Sequence, residues 1–335
     1  MAKPNAPARL DLLGIIAGHY AGEILLGLSR SGALELLAAG IEIDALGRAT
    51  NLDPRHVALL FDFLARTTTI VARDRRGHFR LVNSSVAEAT FQLQKFIGAY
   101  GSAVRGLPPP MRGATAGSMV DEHALAAAFA AAADIPSHIA AQLRRAGYQC
   151  VLDLGCGPAA LLIEMARADT GFRGIGIDQG RAMCRIARKR AHEAGVTSRI
   201  KILCADVRNI CNVLDERLRD RVDAVHARSV LNAFFGRGSG TAIAFLQELR
   251  AAFPGRIAFF VDYYGELGHS RNLRRGFRLA ELQDVAQLAS GQGIPPATRR
   301  QWHVLYQKAG CTLLSADDRQ QDEIRWFIHK VQLAG

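Results

Sequence analysis

The chain has 335 residues, 49% hydrophobic and 22% charged, with a formal net charge of +11. That length suffices for two domains, and the composition is that of a globular protein, not of a disordered or fibrous one. No apolar run approaches the roughly 18 uninterrupted residues of a membrane span, and the opening MAKPNAPARLDLL lacks the apolar core and cleavage site of a secretory signal. Basic residues are spread along the chain without a block, so nucleic acid is not favoured as a partner. The cysteines, at 150, 156, 184, 204, 211 and 311, include no Cys-x-x-Cys pair. They read as free thiols of a cytoplasmic protein and give no support to a cysteine metal cluster.

Residues 9–39 predict two helices broken near Ser29–Gly32, with Ile15, Ile16, His19, Tyr20, Ile24 and Leu28 on one stripe. Ile43–Thr50 predicts a short helix, followed by a turn at Asn51-Leu52. Asp53 is placed to cap the next helix, with Pro54 at its first position and Val57, Leu60, Phe61 and Leu64 on one face. Thr69–Ala72 and His78–Val82 predict a hairpin around Arg73–Gly77. Helix-turn-helix followed by a hairpin is a winged-helix pattern. On DNA it would set Arg55, Arg73, Arg75 and Arg76 against phosphates. Its second helix, however, presents Leu59, Phe63 and Ala65 where a recognition helix would carry Arg, Asn and Gln, which favours packing against protein. Residues 85–147 follow as a connecting region. Ala87–Tyr100 predicts a helix, Gly106–Gly117 a Gly- and Pro-rich cover, and Ala124–Arg145 a helix broken at Asp134-Ile135-Pro136.

The next stretch, VLDLGCGPAALLIEMA at Val151–Ala166, organises the rest. Cys150–Leu154 is an apolar run that predicts a buried strand. It turns at Gly155-Cys156-Gly157-Pro158 and continues as an apolar helix from about Ala159. Glycines at such a strand end let backbone approach a ligand. The spacing resembles the first motif of class I S-adenosylmethionine (SAM)-dependent methyltransferases, hhDhGxGxG, with Pro158-Ala159 in place of the third glycine. The dinucleotide fingerprint G-x-G-x-x-G would need Ala160 as its last small residue, which that pattern tolerates. Three further strands agree with the resemblance: Gly171–Asp178, Ile200–Asp206 and Val222–His226. The resemblance implies a cofactor site of Asp153, Gly155, Cys156, Gly157, Asp178, Gln179, Asp206, Val207 and Ala227. In it Asp178 takes both ribose hydroxyls, Asp206 the adenine amino group, and Val207 packs on the ring. An acid at 178 would also serve a dinucleotide, so that residue alone does not discriminate.

Beyond the fourth strand come a helix at Phe245–Phe253, a strand at Arg256–Asp262, helices at Leu279–Ser290 and Thr298–Ala309, and strands at Cys311–Ser315 and Ile324–Val331. The predicted fold class is α/β: a Rossmann-like, mostly parallel seven-stranded sheet closed by antiparallel strands, behind a mainly helical N-terminal domain. The N-terminal unit resembles the dimerisation domain of plant-type O-methyltransferases and their bacterial relatives. The implied division is 1–84 for dimerisation, 85–147 as helical cover and 148–335 for catalysis, with a homodimer as the assembly.

Methyl transfer needs an aligned acceptor and, for some acceptors, a base. In plant-type O-methyltransferases a His just after the fourth strand is that base, in a pattern like LHDW. Here Val230-Leu231-Asn232-Ala233-Phe234 matches, and Asn232 cannot be a base. The remaining catalytic candidates are His226, Asp262 and His303. A divalent metal held by those three is chemically reasonable but not favoured. Tyr100, Arg105, Arg228, Tyr263, Tyr264 and Trp302 are the substrate-site candidates. Met111, Arg112 and His269 are further possibilities, and an Arg could hold a carboxylate. The expected activity is SAM-dependent methylation of a small, carboxylate-bearing metabolite, at the sulfur of a methionine-like acid or the carbon of a 2-oxo acid. The alternatives are O- or N-methylation of a secondary metabolite, or a SAM-sensing winged-helix regulator.

Overall fold

A computed structural model describes residues 10–51, 53–106, 120–133, 139–267, 279–321 and 324–334. Met111, Arg112, the Asp134-Ile135-Pro136 break and His269 lie outside them.

The N-terminal part consists of α1 (Leu12–Arg30), α2 (Ala33–Ala39), α3 (Ile43–Thr50), α4 (Pro54–Thr67) and a hairpin of β1 (Val71–Arg73) and β2 (Phe79–Leu81). Local chemistry sets the starts. Asp11 accepts the Gly14 amide at 2.7 Å, and Asp53 accepts that of Arg55 at 2.8 Å ahead of Pro54. Leu25, Leu26, Leu34, Leu37, Phe61, Leu64 and Phe79 form the core of this part. The stripe expected on α1 holds only in its second half: Ile24 and Leu28 pack into this core with Ala21, Leu25 and Leu26, whereas Ile15, Ile16 and Tyr20 are exposed. The first half of α1 is apolar on all sides, so periodicity there does not choose a face. Leu60, expected inside, also points outward. By length and composition α1 could cross a membrane, but its second half packs into this core.

The region after the hairpin is helical over Val86–Ala99, as expected, but changes type along its length. It runs as α5 (Val86–Gln92), a π-helix (Leu93–Ala99) and α6 (Gly101–Arg105). The helix Glu122–Ala131 packs across the π-helix.

The C-terminal part is a seven-stranded sheet in the order β5-β4-β3-β6-β7-β9-β8. The strands are β3 (Cys150–Leu154), β4 (Arg173–Asp178), β5 (Ile200–Cys204), β6 (Ala224–Arg228), β7 (Ile257–Tyr263), β8 (Thr312–Gln321) and β9 (Ile324–Gln332). The pairs among β3 to β7 are parallel, and β9 runs antiparallel to both β7 and β8. Every residue of β3 is buried, as a central parallel strand covered on both faces requires. Alternation divides its side chains. Leu152 and Leu154 join a core with Phe260 and Trp302, while Val151 joins one with Ile163, Phe172 and Phe259. The strand order reverses between β3 and β6, so a crevice opens at the carboxyl ends of those two strands.

Candidate active site

One wall of the crevice is the turn between β3 and the helix Ala160–Ala168. Gly155, Gly157 and Ala159 have φ of +61°, +54° and +59°, and Ser229, just past β6, has +53°. Four left-handed residues thus meet at the two strand ends, two of them with a β-carbon that disfavours this conformation. Gly155 also has no room for a side chain, since a Cβ would lie 2.6 Å from Val230 Cγ2.

Asp178 ends β4 and ties the turn together. Its Oδ2 accepts the Gly157 amide at 3.0 Å and its Oδ1 the Gly180 amide at 2.8 Å. Burial pushes its carboxyl above the ordinary value, while those two amides act in the opposite sense. Each oxygen keeps a lone pair for a ligand. Gln179 is exposed beside it, and Ala227 is buried at the end of β6. Asp206 is arranged differently. It caps its own turn through the Arg208 amide at 2.9 Å, and the Arg208 side chain grips both its oxygens. Burial raises its pKa, but the Arg208 hydrogen bonds outweigh that and leave it lowered. Val207, next to it, is half-buried.

Asp153 does not face a free site. It is the register partner of His226 across β3 and β6, and its Oδ1 lies 2.7 Å from His226 Nδ1. Both are buried, and His226 Nε2 has no protein partner among the described residues. A neutral imidazole can donate from Nδ1 to the carboxylate and keep Nε2 as an acceptor.

The second wall is assembled from elements far apart in sequence. Asn232 follows β6 and is buried, with no partner for its Oδ1 among the described residues. Its backbone amide donates to Asp262 Oδ2 at 3.0 Å, and Tyr263's amide donates to Asp262 Oδ1 at 3.0 Å. Burial, opposed by those two amides, pushes the Asp262 carboxyl up to about 7. Next come α6 and, packed against it, the helix Leu279–Ala289, which presents Gln283 and Gln287, both buried, their Oε1 atoms without a partner among the described residues. The Tyr263 hydroxyl donates to Asp284 at 2.8 Å, and Asp284 also accepts the amides of Glu266 and Leu267. Tyr100 is buried, with its hydroxyl bonded to the Gln292 side chain and its pKa pushed up to about 12 by burial. Phe235's amide donates to the Gln292 carbonyl at 2.9 Å. At that crossing neither Gly236 nor Gly293 has room for a β-carbon, because backbone presses on backbone.

Arg228, at the end of β6, is exposed. Burial lowers its pKa and Asp153 partly offsets this. The π-helix supplies the half-buried Lys95, whose pKa is brought down to about 8 by burial, then by repulsion from Arg228.

Four expected site residues lie elsewhere. His303 is exposed on the helix Arg299–Lys308. Trp302, one residue earlier, turns into the core, where its Nε1 donates to the Pro296 carbonyl at 3.1 Å. Tyr264 donates to Asp318 at 2.7 Å and sits 3.2 Å from His329 Nε2, in a buried aromatic stack beneath the sheet. Arg105 is exposed, 3.6 Å from Glu23. A metal triad of His226, Asp262 and His303 is therefore not assembled, and no group of three or more His, Cys, Asp or Glu is poised to hold an ion among the described residues. Lys95, Gln283, Gln287 and Gln292 were not expected. Gln283 and Gln287 had a signal, two amides one turn apart within the apolar face of a helix.

Comparison with known proteins agrees with this geometry. Residues 151–252 match the family model described as a methyltransferase domain. Solved structures similar along nearly the whole chain include the mitomycin 7-O-methyltransferase MmcR, 15% identical, with a TM-score of 0.67 and 96% of each chain covered. Human N-acetylserotonin methyltransferase in complex with SAM is 17% identical, with a TM-score of 0.65, covering 97% of this chain and 99% of that one. The O-methyltransferase NcsB1 from neocarzinostatin biosynthesis, in complex with SAM and 2-hydroxy-5-methyl naphthoic acid, is 15% identical, with a TM-score of 0.64 and 97% and 99% covered. At these identities the likeness is one of fold. Sheet order, cofactor turn and matched domain together define a class I, SAM-dependent methyltransferase. Along its whole length the chain has the architecture of the O-methyltransferase-like members of that class, N-terminal helical part included.

Proposed function

We propose that the protein methylates a hydroxyl oxygen or an amine nitrogen of a small, acid-bearing metabolite. The observation that carries this reading is the second wall. Asn232, Gln283 and Gln287 are buried side-chain amides whose oxygens have no partner among the described residues, and such oxygens accept hydrogen bonds from O–H and N–H groups. Bound SAM supplies a methyl group activated on its sulfonium. Asp178 would accept the ribose hydroxyls on its free lone pairs, and the open turn Gly155–Gly157 would face the amino-acid portion. Val207 would pack on the adenine, and Asp206 would reach it only if Arg208 gives way. Asp262 fixes the Asn232 backbone and, with its carboxyl near neutrality, is the group best placed to take up a proton from that segment. Tyr263 and Asp284 hold the ceiling in place.

S-methylation of a thioether acid or C-methylation of a 2-oxo acid is the second reading. Asn232 supports it, since a thioether acceptor needs no base. The scattered placement of His226, Asp262 and His303 weakens the carbon chemistry. We further propose a cytoplasmic homodimer with the division 1–84, 85–147 and 148–335, joined through the exposed apolar residues Leu12, Leu13, Ile15, Ile16 and Tyr20 of α1. The DNA-binding reading of the N-terminal unit is weakened by Arg73, whose guanidinium pairs with Asp62 at 3.0 Å.

The test is release of S-adenosylhomocysteine (SAH) with phenols, hydroxy acids, amines, thioethers and 2-oxo acids as acceptors. Turnover confined to thioethers or 2-oxo acids would establish the second reading. Salt-sensitive, sequence-selective DNA binding without turnover would instead favour a regulator.

A further inference from the structure

Lys95 belongs to no motif, and its surroundings are unusual for a lysine. The π-helical stretch that carries it is a rare geometry, often found at functional sites. Its ammonium lies 5.2 Å from the Phe91 ring centroid and 4.9 Å from that of Phe96, held between two aromatic faces. The charged group acting on it is another cation, Arg228, which reaches the same space from the end of β6. No ion pair joins either side chain to a carboxylate among the described residues. The nearest claim on Arg228 is the field of Asp153, but that carboxylate is bonded to His226. The fold has therefore drawn two cations, from elements more than a hundred residues apart, to one end of the crevice: Tyr100, whose amide donates to the Lys95 carbonyl, is bonded to Gln292, and the Gln292 carbonyl takes the Phe235 amide just beyond β6. Like charges brought within electrostatic reach repel unless something of opposite sign sits between them. Burial first, and then the Arg228 charge, lowers the ionisation of Lys95.

We propose that Lys95 and Arg228 together hold the carboxylate of the methyl acceptor, so that the substrate is an acid taken up in its ionised form. This rests on the methyltransferase reading, because it assigns that end of the crevice to the acceptor. Arg228 is two residues from Val230, which packs at the cofactor turn, so an acid anchored there lies beside the transfer site. The guanidinium supplies a planar fork for the carboxylate and the ammonium a point charge from the opposite side. The Phe91 and Phe96 rings give that end of the crevice an aromatic margin.

The test titrates the full-length protein, with and without SAH, against matched acid and amide probes: benzoate and benzamide, 4-hydroxybenzoate and 4-hydroxybenzamide, 1-naphthoate and 1-naphthamide. Each acid should bind at least about tenfold more tightly than its amide. Lys95→Met should reduce that preference to within about twofold, Lys95→Arg should retain most of it, and both variants should keep wild-type SAH affinity. Amides binding as well as acids, a preference surviving in Lys95→Met, or no acid binding at concentrations of roughly 10 mM would each overturn the proposal. Failure of the wild-type protein to bind SAH would strike the methyltransferase reading instead, and the titrations without SAH would still report on the two cations.

Discussion

Replacing Asp178 by Ala separates two roles of one carboxylate, one seen in the fold and one proposed toward the cofactor. In the folded protein it accepts the amides of Gly157 and Gly180, at 3.0 and 2.8 Å. Without it these donors lose their partner, at about 1–3 kcal/mol for each that water does not reach. That loss should appear as a lower urea midpoint with an unchanged slope. The second role is toward the cofactor. Hydrogen bonds to a charged acceptor are worth about 1.5–3 kcal/mol, so SAH affinity should fall roughly ten- to a hundredfold. Calorimetry on the folded variant measures the second effect, and urea unfolding without ligand measures the first. Asp178→Asn should recover part of the stability, since its carbonyl can serve one amide, but little of the affinity, since its NH₂ faces the other. A folded Asp178→Ala protein whose SAH affinity stays within about twofold of wild type would refute the assignment of this carboxylate to the ribose.

Gly155→Ala should weaken SAH binding and turnover together, because the new methyl meets Val230 at 2.6 Å and displaces the segment carrying Asn232; wild-type kinetics would contradict this. His303→Asn should change turnover by less than about twofold, and a large loss in a steady-state assay would restore its catalytic role. The Asp262 carboxyl rises from 3.8 when unfolded to about 7 when folded, so the native state binds its proton more tightly. Its stabilising contribution is complete below the unfolded value and is lost as pH rises toward the folded one. Asp262→Asn should therefore gain on wild type between about pH 4 and 8 in urea unfolding, whereas a constant gap would argue against the raised value. Sedimentation should show a dimer at micromolar concentration that Ile16→Asp dissociates; a monomeric wild type would remove the proposed interface.

The turn proposed to hold the cofactor could be read from the chain because it is built from consecutive residues. The turn Gly155–Gly157 follows its strand directly, and Asp178 ends the next one, so local spacing carries the geometry. The acceptor half has no such linear image. Lys95 feels the charge of Arg228 from more than a hundred residues away in the chain, and Gln292 reaches Tyr100 across a long interval of sequence. Trp302 and His303 show the limit in miniature. They are adjacent on one amphipathic helix, and periodicity marks a stripe without saying what it faces. The core took Trp302, leaving His303 in water, while Tyr264 was claimed by the His329 and Asp318 network. The exposed first half of the α1 stripe has a related cause, since a helix apolar all round is oriented only by its neighbours.

The bare crossing of Phe235-Gly236 with Gly291–Gly293 behaves like a rivet through two plates. The segment bearing Asn232 and the end of the helix bearing Gln283 and Gln287 are pinned main chain to main chain, so neither can slide without dragging the other. A lineage adapting this enzyme to a new acceptor cannot lengthen or re-register either loop at the pin. It must change the cavity one side chain at a time, at the tips of a frame whose spacing stays fixed. Deuterium uptake should reveal the same union: the amides on both sides of the crossing should open as a single unit, at one common free energy.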